Sequence, residues 1–286
     1  MSTTSPSARP MSGTDLARDI LDGTAARAAE IARRTGVRPC LATVLVGEDP
    51  ASVTYVRMKR NRCAAAGIDS RHVPLPAEID TAALVTRIAE LSADPEVHGI
   101  LLQHPVPRHV DERAAFEAIA PHKDVDGVTT HSFGAMAFDR PGFVSCTPGG
   151  ILRLLDAYEV PLRGRRAVVL GRSPILGRPV GMLLLARDAT VTYCHSRTAD
   201  LPALVADADI VVAAVGRPEF VRGDWLRPGA VVVDAGYHPG GVGDVHAATA
   251  ATVADLLTPV PGGVGPMTIA VLLEQTVRAA AEQLGV

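Results

Sequence analysis

Apolar and polar positions switch repeatedly between two periods along the chain. Residues 14–34 repeat at helical spacing, and "CLATVLVG" (Cys40 to Gly47) reads as a short apolar strand. A helix is predicted from Pro50, with Asp49 as N-cap, proline at the first helical position and Gly67 as the stop. Strand 71–75, helix 80–92, strand 99–102 and a helix near 111–119 come next. A Pro- and Gly-rich stretch, "DRPGFVSCTPGG" (Asp139 to Gly150), interrupts the pattern and is the predicted domain junction. Beyond it follow helix 148–158, the strand "AVVL" (167–170), a glycine-bearing turn and helix 176–186. Strand 189–194, helix 200–206, strands 209–214 and 230–234, and a last helix from Pro266 to about Gln283 complete the reading. Such alternation predicts an α/β fold on parallel sheets.

Composition narrows the class. A length of 286 residues favours two domains, and 47% hydrophobic residues support globular cores. A net charge of −3 gives no basic surplus for nucleic acid. No apolar run approaches the ~18–20 residues of a membrane span, and the opening "MSTTSPSARPMSGTD" lacks the apolar centre of a signal peptide. Residues 1–10 are therefore predicted to be a disordered tail. Cys40, Cys63, Cys146 and Cys194 are far apart, as expected of reduced thiols in a cytosolic protein. The nine histidines show no metal-ligand spacing, so no metal is predicted, and Ser173 and Ser196 lack the neighbours of a hydrolase triad.

The chain has only two lysines, Lys59 and Lys123; every other cationic side chain is arginine. On a helical wheel Ser52, Tyr55, Val56, Lys59, Cys63 and Ala66 share one face, while Arg57, Arg60, Asn61 and Arg62 lie outside it. The lysine thus occupies the packing face. It either snorkels over apolar surface or serves as an acid/base, because burial lowers a lysine pKa whereas arginine cannot release its proton. Tyr55, four residues earlier, is a wall for a flat ligand or a half-buried aromatic.

"AVVLGRSPILGRPV" runs from a strand through Gly171, Arg172 and Ser173 to Gly177 at a helix start. This is either an ordinary strand-to-helix turn or a dinucleotide turn whose helix N-terminus offers N–H groups to a pyrophosphate. The next strand ends in "TYCHSRT", where Ser196 and Arg197 stand in place of the acid that would hold a ribose hydroxyl. With Arg172, they suit a 2′-phosphate and so NADP rather than NAD. Gln103 directly follows strand 99–102. "PHKDVDGVT" reads by itself as a solvated charged turn closed by Gly127. In "TPVPGGVGPMT" (Thr258 to Thr268), Gly262 and Gly263 let a ligand approach the backbone before the helix at Pro266.

Together "VLVGEDPASVTYVRMK", "GILLQHPVP", "HKDVDG", "CTPGGI", "VLGRSPILGRP", "VVAAVGRP" and "TPVPGGVGPMT" resemble the bifunctional methylenetetrahydrofolate dehydrogenase/methenyltetrahydrofolate cyclohydrolase family, from about Asp19 to Leu284. The resemblance implies a two-domain α/β chain. A folate-binding catalytic domain (11–145) is completed by the returning helix 266–286, and a Rossmann-like NADP-binding domain spans 146–265. It implies that Lys59, Gln103 and Asp126 are catalytic. Tyr55 would stack on the pterin, Asp126 would receive the pterin's N–H groups, and Gly262 and Gly263 would close over folate and nicotinamide. Gly171, Arg172, Ser173, Gly177, Ser196, Arg197, Gly216 and Tyr237 would hold NADP. Tetrahydrofolate derivatives as substrates, a cytoplasmic homodimer and a place in one-carbon metabolism and purine biosynthesis are implied as well; neither nucleic acid nor membrane is an expected partner.

The sequence departs from the family pattern at three places. His104 stands where leucine is usual, "DAGYH" (Asp234 to His238) replaces D-x-G-I-N, and Gly149 replaces a frequent basic residue. Two other readings stay open at this point: a monofunctional NAD(P)-dependent methylenetetrahydrofolate dehydrogenase, and a non-catalytic dinucleotide-binding protein.

Overall fold

The computed structural model describes residues 7–286, apart from the side chains of residues 50–55. In chain order the elements are β1 (Arg9–Pro10), α1 (Thr14–Thr35), β2 (Cys40–Val46), α2 (Pro50–Ala65), β3 (Asp69–Leu75), α3 (Thr81–Ala93), β4 (Gly99–Leu102), α4 (Glu112–Glu117), α5 (Thr130–Ala137) and α6 (Cys146–Ala157). They continue with β5 (Arg166–Leu170), α7 (Gly177–Leu185), β6 (Thr190–Cys194), α8 (Leu201–Ala206), β7 (Ile210–Ala213), β8 (Val231–Asp234), α9 (Ala247–Ala250), β9 (Leu256–Leu257) and α10 (Val264–Leu284). The chain forms two compact units: Arg18–Cys146 with Ile269–Val286, and the described residues up to Ala17 with Thr147–Thr268.

The first unit holds a parallel sheet in the order β3-β2-β4. All seven residues of β2 are buried, which is why the strand is apolar on both faces, Thr43 apart, rather than alternating. Ala28 and Ile31 of α1, Cys63 of α2 and Ala66 just beyond it, and Leu272, Leu273 and Val277 of α10 share one apolar cluster with Leu41 and Leu101. Gln275 of α10 is a polar residue buried beside that core. Its Oε1 accepts the Val144 N–H at 3.1 Å, and its Nε2 donates to the carbonyls of Val125 (2.8 Å) and Val144 (2.9 Å).

The turn read from sequence as a solvated charged segment is buried at Lys123 and Asp124. Lys123 Nζ donates to the carbonyls of Asp94 (2.6 Å) and Leu91 (3.4 Å), placing its charge at the carbonyl end of α3, where the helix dipole favours a cation. Burial lowers its pKa, with Asp94 opposing.

The second unit holds a parallel sheet in the order β1-β9-β8-β7-β5-β6. From β5 the chain moves to β6 on one side and then returns to β7 on the other. This makes the β5/β7 boundary the point where α/β sheets hold ligands at their carboxyl ends. Arg9 and Pro10, assigned from sequence to a tail, form an edge strand opposite Leu256 and Leu257. Arg9 N–H donates to Asp255 and Met11 N–H to Leu257, so the missing donor of Pro10 leaves no bond unmade. No described helix is long and apolar enough to cross a membrane, and all four cysteines are buried free thiols.

Candidate functional site

The sequence-selected residues fall into two sets, one on each unit. In the first unit α2 carries Val56, Lys59 and Cys63 on its buried face, continued by Ala66 just past its end, with Arg57, Arg60, Asn61 and Arg62 exposed, as the wheel predicts. Tyr55 is named by the same wheel, but its side chain lies outside the described residues. Lys59 Nζ donates to Gln103 Oε1 at 3.1 Å, and Gln103 Nε2 donates to the His104 carbonyl at 3.0 Å. The backbone N–H of Gln103 donates to Val44 at 2.9 Å, which fixes the glutamine at the carboxyl end of β4. Burial holds the Lys59 amine below the usual lysine range, and the Asp126 carboxylate acts in the opposite sense.

Asp126 is half-buried beside this amine and is carried by a turn that Asp124 organises. One oxygen of the Asp124 carboxylate accepts the Val128 N–H (3.0 Å); the other accepts the Thr129 N–H (3.0 Å) and the Ser132 hydroxyl (2.6 Å). Burial raises the Asp124 pKa against these bonds. At Gly127 φ is +65°, and a Cβ there would collide with the Val144 backbone, so the turn accepts no side chain. The Cys146 N–H donates to the Asp126 carbonyl (3.3 Å), and its thiol donates to Val125 (3.2 Å). Complete burial, and then Asp126, push that thiol well above its usual range; burial pushes Cys63 up to about 12. Neither sulfur is a nucleophile at neutral pH.

In the second unit, Gly171 ends β5 with φ +120°, and a Cβ would strike the Ala214 carbonyl after β7. Only glycine allows this close approach at the switch point. The Ser173 hydroxyl accepts the N–H groups of Leu176 and Gly177, both at 3.2 Å. These donors, expected from sequence to face a pyrophosphate, are spent inside the turn. Ser196 and Arg197 are exposed on a turn fixed by His195 N–H to Thr198 Oγ1 (2.9 Å) and Arg197 N–H to His195 Nδ1 (3.2 Å). Among the described residues neither Arg172 nor Arg197 is in an ion pair, and both are exposed. Gly216 is exposed, with its N–H on Asp244, and Tyr237 is 61% exposed. The Gly262 carbonyl accepts the Gly13 N–H at 2.8 Å, and Gly263 N–H donates to Pro259 at 2.8 Å. α10 starts at Val264, two residues before the expected Pro266.

Sequence reading missed Asp124, Asp234, Asp244 and Gln275 as organisers. Each acts on backbone groups of loops, where no side-chain spacing advertises it. The repeated acids of "HKDVDG" were the one available signal.

Two family models match the chain: the tetrahydrofolate dehydrogenase/cyclohydrolase catalytic domain over residues 11–126 and the NAD(P)-binding domain of the same name over residues 145–284. A Streptomyces avermitilis protein named bifunctional protein FolD 1 is 72% identical over 279 residues, 98% of this chain and 97% of its own. The Campylobacter jejuni bifunctional methylenetetrahydrofolate dehydrogenase/cyclohydrolase superposes with a TM-score of 0.93 at 39% identity, covering 96% of this chain and 99% of its own. A Trypanosoma brucei enzyme of the same name, solved with NADP and an inhibitor, gives 0.93 at 38%, covering 98% and 100%.

Proposed function

Since the chain belongs to the tetrahydrofolate dehydrogenase/cyclohydrolase family, we propose that Lys59, Gln103 and Asp126 carry its chemistry. The reaction is the NADP-dependent oxidation of 5,10-methylenetetrahydrofolate to the 5,10-methenyl cation, followed by hydrolysis to 10-formyltetrahydrofolate. NADP, when bound, would supply the hydride acceptor for this oxidation.

The observation that carries the assignment is the buried amine of Lys59 fixed to Gln103. Gln103 Oε1 accepts a hydrogen bond from one N–H of the lysine and so aims the lone pair of the neutral amine elsewhere. A cationic folate nearby disfavours the ammonium further, adding to the effect of burial. The neutral amine then removes a proton from the water that adds to the methenyl carbon. Asp126 offers two acceptor oxygens to the paired N–H donors of the pterin. Tyr55 is assigned to the pterin face, and Gly262 and Gly263 to folate and nicotinamide.

The second unit suits the dinucleotide. Gly171 lets the Ala214 backbone close against the turn, the Ser173 hydroxyl and Gly177 belong to that turn, assigned to the pyrophosphate, and Gly216 and Tyr237 border it. Arg172, Ser196 and Arg197 supply charge and a hydroxyl for a 2′-phosphate. We also assign the chain a homodimeric, cytoplasmic existence that supplies formyl groups to purine biosynthesis, on family resemblance.

The testing experiment mixes the protein with methylenetetrahydrofolate and NADP and follows reduced cofactor and methenyl intermediate separately. Both signals are expected, with the intermediate decaying on the enzyme. Formation of reduced cofactor with a methenyl species that decays at its uncatalysed rate would remove the cyclohydrolase half.

A further inference from the structure

Asp244 is fully buried and its carboxylate is saturated with donors. Oδ2 accepts the N–H groups of Val215 (2.6 Å) and Gly216 (2.9 Å); Oδ1 accepts that of Arg217 (3.0 Å) and lies 2.8 Å from His238 Nε2. An ionised carboxylate brings only lone pairs, so Nε2 of His238 carries the proton in that bond.

His238 is itself fixed. Its N–H donates to Val242 (2.8 Å) and its carbonyl accepts the Gly241 N–H (3.1 Å), closing a short hairpin. Asp234, at the end of β8, holds the other side: its oxygens accept the N–H groups of Gly236 (2.9 Å), Asp244 (2.8 Å) and Val245 (2.9 Å). The segment 215–217 leaves the carboxyl end of β7, beside the Gly171 turn. A continuous set of bonds thus runs from the hairpin through His238 and Asp244 into that segment.

We infer that His238 is a positioning residue for the dinucleotide: its Nε2–H, acting through Asp244, fixes the 215–217 backbone in the shape that receives NADP. The inference rests on the assignment of Gly216 to the cofactor. Without the imidazole donor Oδ1 keeps a single partner, and the loop must be ordered by the cofactor itself, which weakens binding. Folate binding and water addition to the methenyl carbon do not draw on this loop.

The test uses the full chain carrying His238→Phe and, separately, His238→Gln, which keeps an N–H donor. NADP and tetrahydrofolate affinities are measured by calorimetry, and cyclohydrolase rates with methenyltetrahydrofolate. His238→Phe is expected to weaken NADP by about tenfold while tetrahydrofolate affinity and the cyclohydrolase rate stay within about twofold, and His238→Gln to regain most of the loss. NADP binding by His238→Phe within about twofold of the unmodified chain would overturn the inference. Equal losses of both ligands with a lowered Tm would also overturn it, as the mark of a merely structural residue. Arg197→Ala separates the two levels. If it weakens NADP while His238→Phe does not, only this inference falls; if neither variant weakens NADP, the cofactor assignment falls too.

Discussion

Nζ of Lys59 lies 3.1 Å from Oε1 of Gln103, and the same carboxamide donates its N–H to the His104 carbonyl at 3.0 Å. The amide cannot turn over without losing both bonds. It therefore presents a fixed acceptor to an amine that burial already inclines to lose its proton.

Lys59→Arg keeps the charge and much of the stem but removes the capacity to act as a base. Cyclohydrolase activity should fall by about 10²–10⁴-fold, the range of general acid–base catalysis. Breaking the C–H bond needs no lysine base, so the dehydrogenase should fall less, through poorer positioning. Measuring both rates on the folded variant decides the point, and a cyclohydrolase rate within a few-fold of the original would remove lysine catalysis.

Lys59→Met should stabilise the chain by about 1 kcal/mol near neutral pH, because a buried amine is costly and its apolar substitute is not. The sign with pH follows from the lowered pKa. Between the lowered value and the ordinary lysine value the unfolded chain binds more protons, so the unmodified protein gains stability as pH rises through that window. Urea unfolding of both proteins should show the advantage of Lys59→Met shrinking toward alkaline pH. A gap that widens there contradicts the assignment.

Asp126→Asn gives the pterin one acceptor and a misplaced donor in place of two acceptors. Folate affinity should drop by about tenfold or more and NADP affinity should hold. The Asp126 charge raises the Lys59 pKa, so its loss should also move the cyclohydrolase pH profile toward lower pH. Unchanged folate binding measured directly excludes the assigned role.

NADP should be preferred to NAD, and Arg172→Ala or Arg197→Ala should weaken NADP selectively by about 1–3 kcal/mol. Titrating each variant with both dinucleotides measures this. Equal use of the two by the unmodified chain would count against the arginines.

His104 adjoins Gln103 and turns its ring edge-on to Phe116, at 6.3 Å between centroids. His104→Leu should leave both activities present and alter their ratio, since it removes a titratable ring near a site that handles a cation. If neither rate nor its pH profile changes, His104 is only a packing residue for Phe116.

Legibility tracked how local each signal is. Lys59 was readable because a helix brings residues three and four apart together, so one charge within an apolar stripe stands out against the arginines outside it. Gly171 was readable as a break between strand and helix. Gln103 and Asp126 gained meaning only from the resemblance, for a glutamine after a strand or an aspartate in a turn is common. Asp124 and Asp244 were illegible: most of their partners are backbone N–H groups, present at every position except proline. The same holds for β1, where two residues, one of them proline, leave no period to detect.

The N-terminal strand has a consequence for biosynthesis. Arg9 must wait for Leu256 before its edge of the sheet can close, and Val125 and Val144 must wait for Gln275. On the ribosome the nucleotide unit waits for residues up to Thr268 and the unit that carries Lys59 waits for α10, so neither closes from its N-terminal part alone. Trimming acts at a distance for the same reason: losing residues 7–11 damages the nucleotide unit, whereas losing residues from Gln275 onward opens the one that carries Lys59.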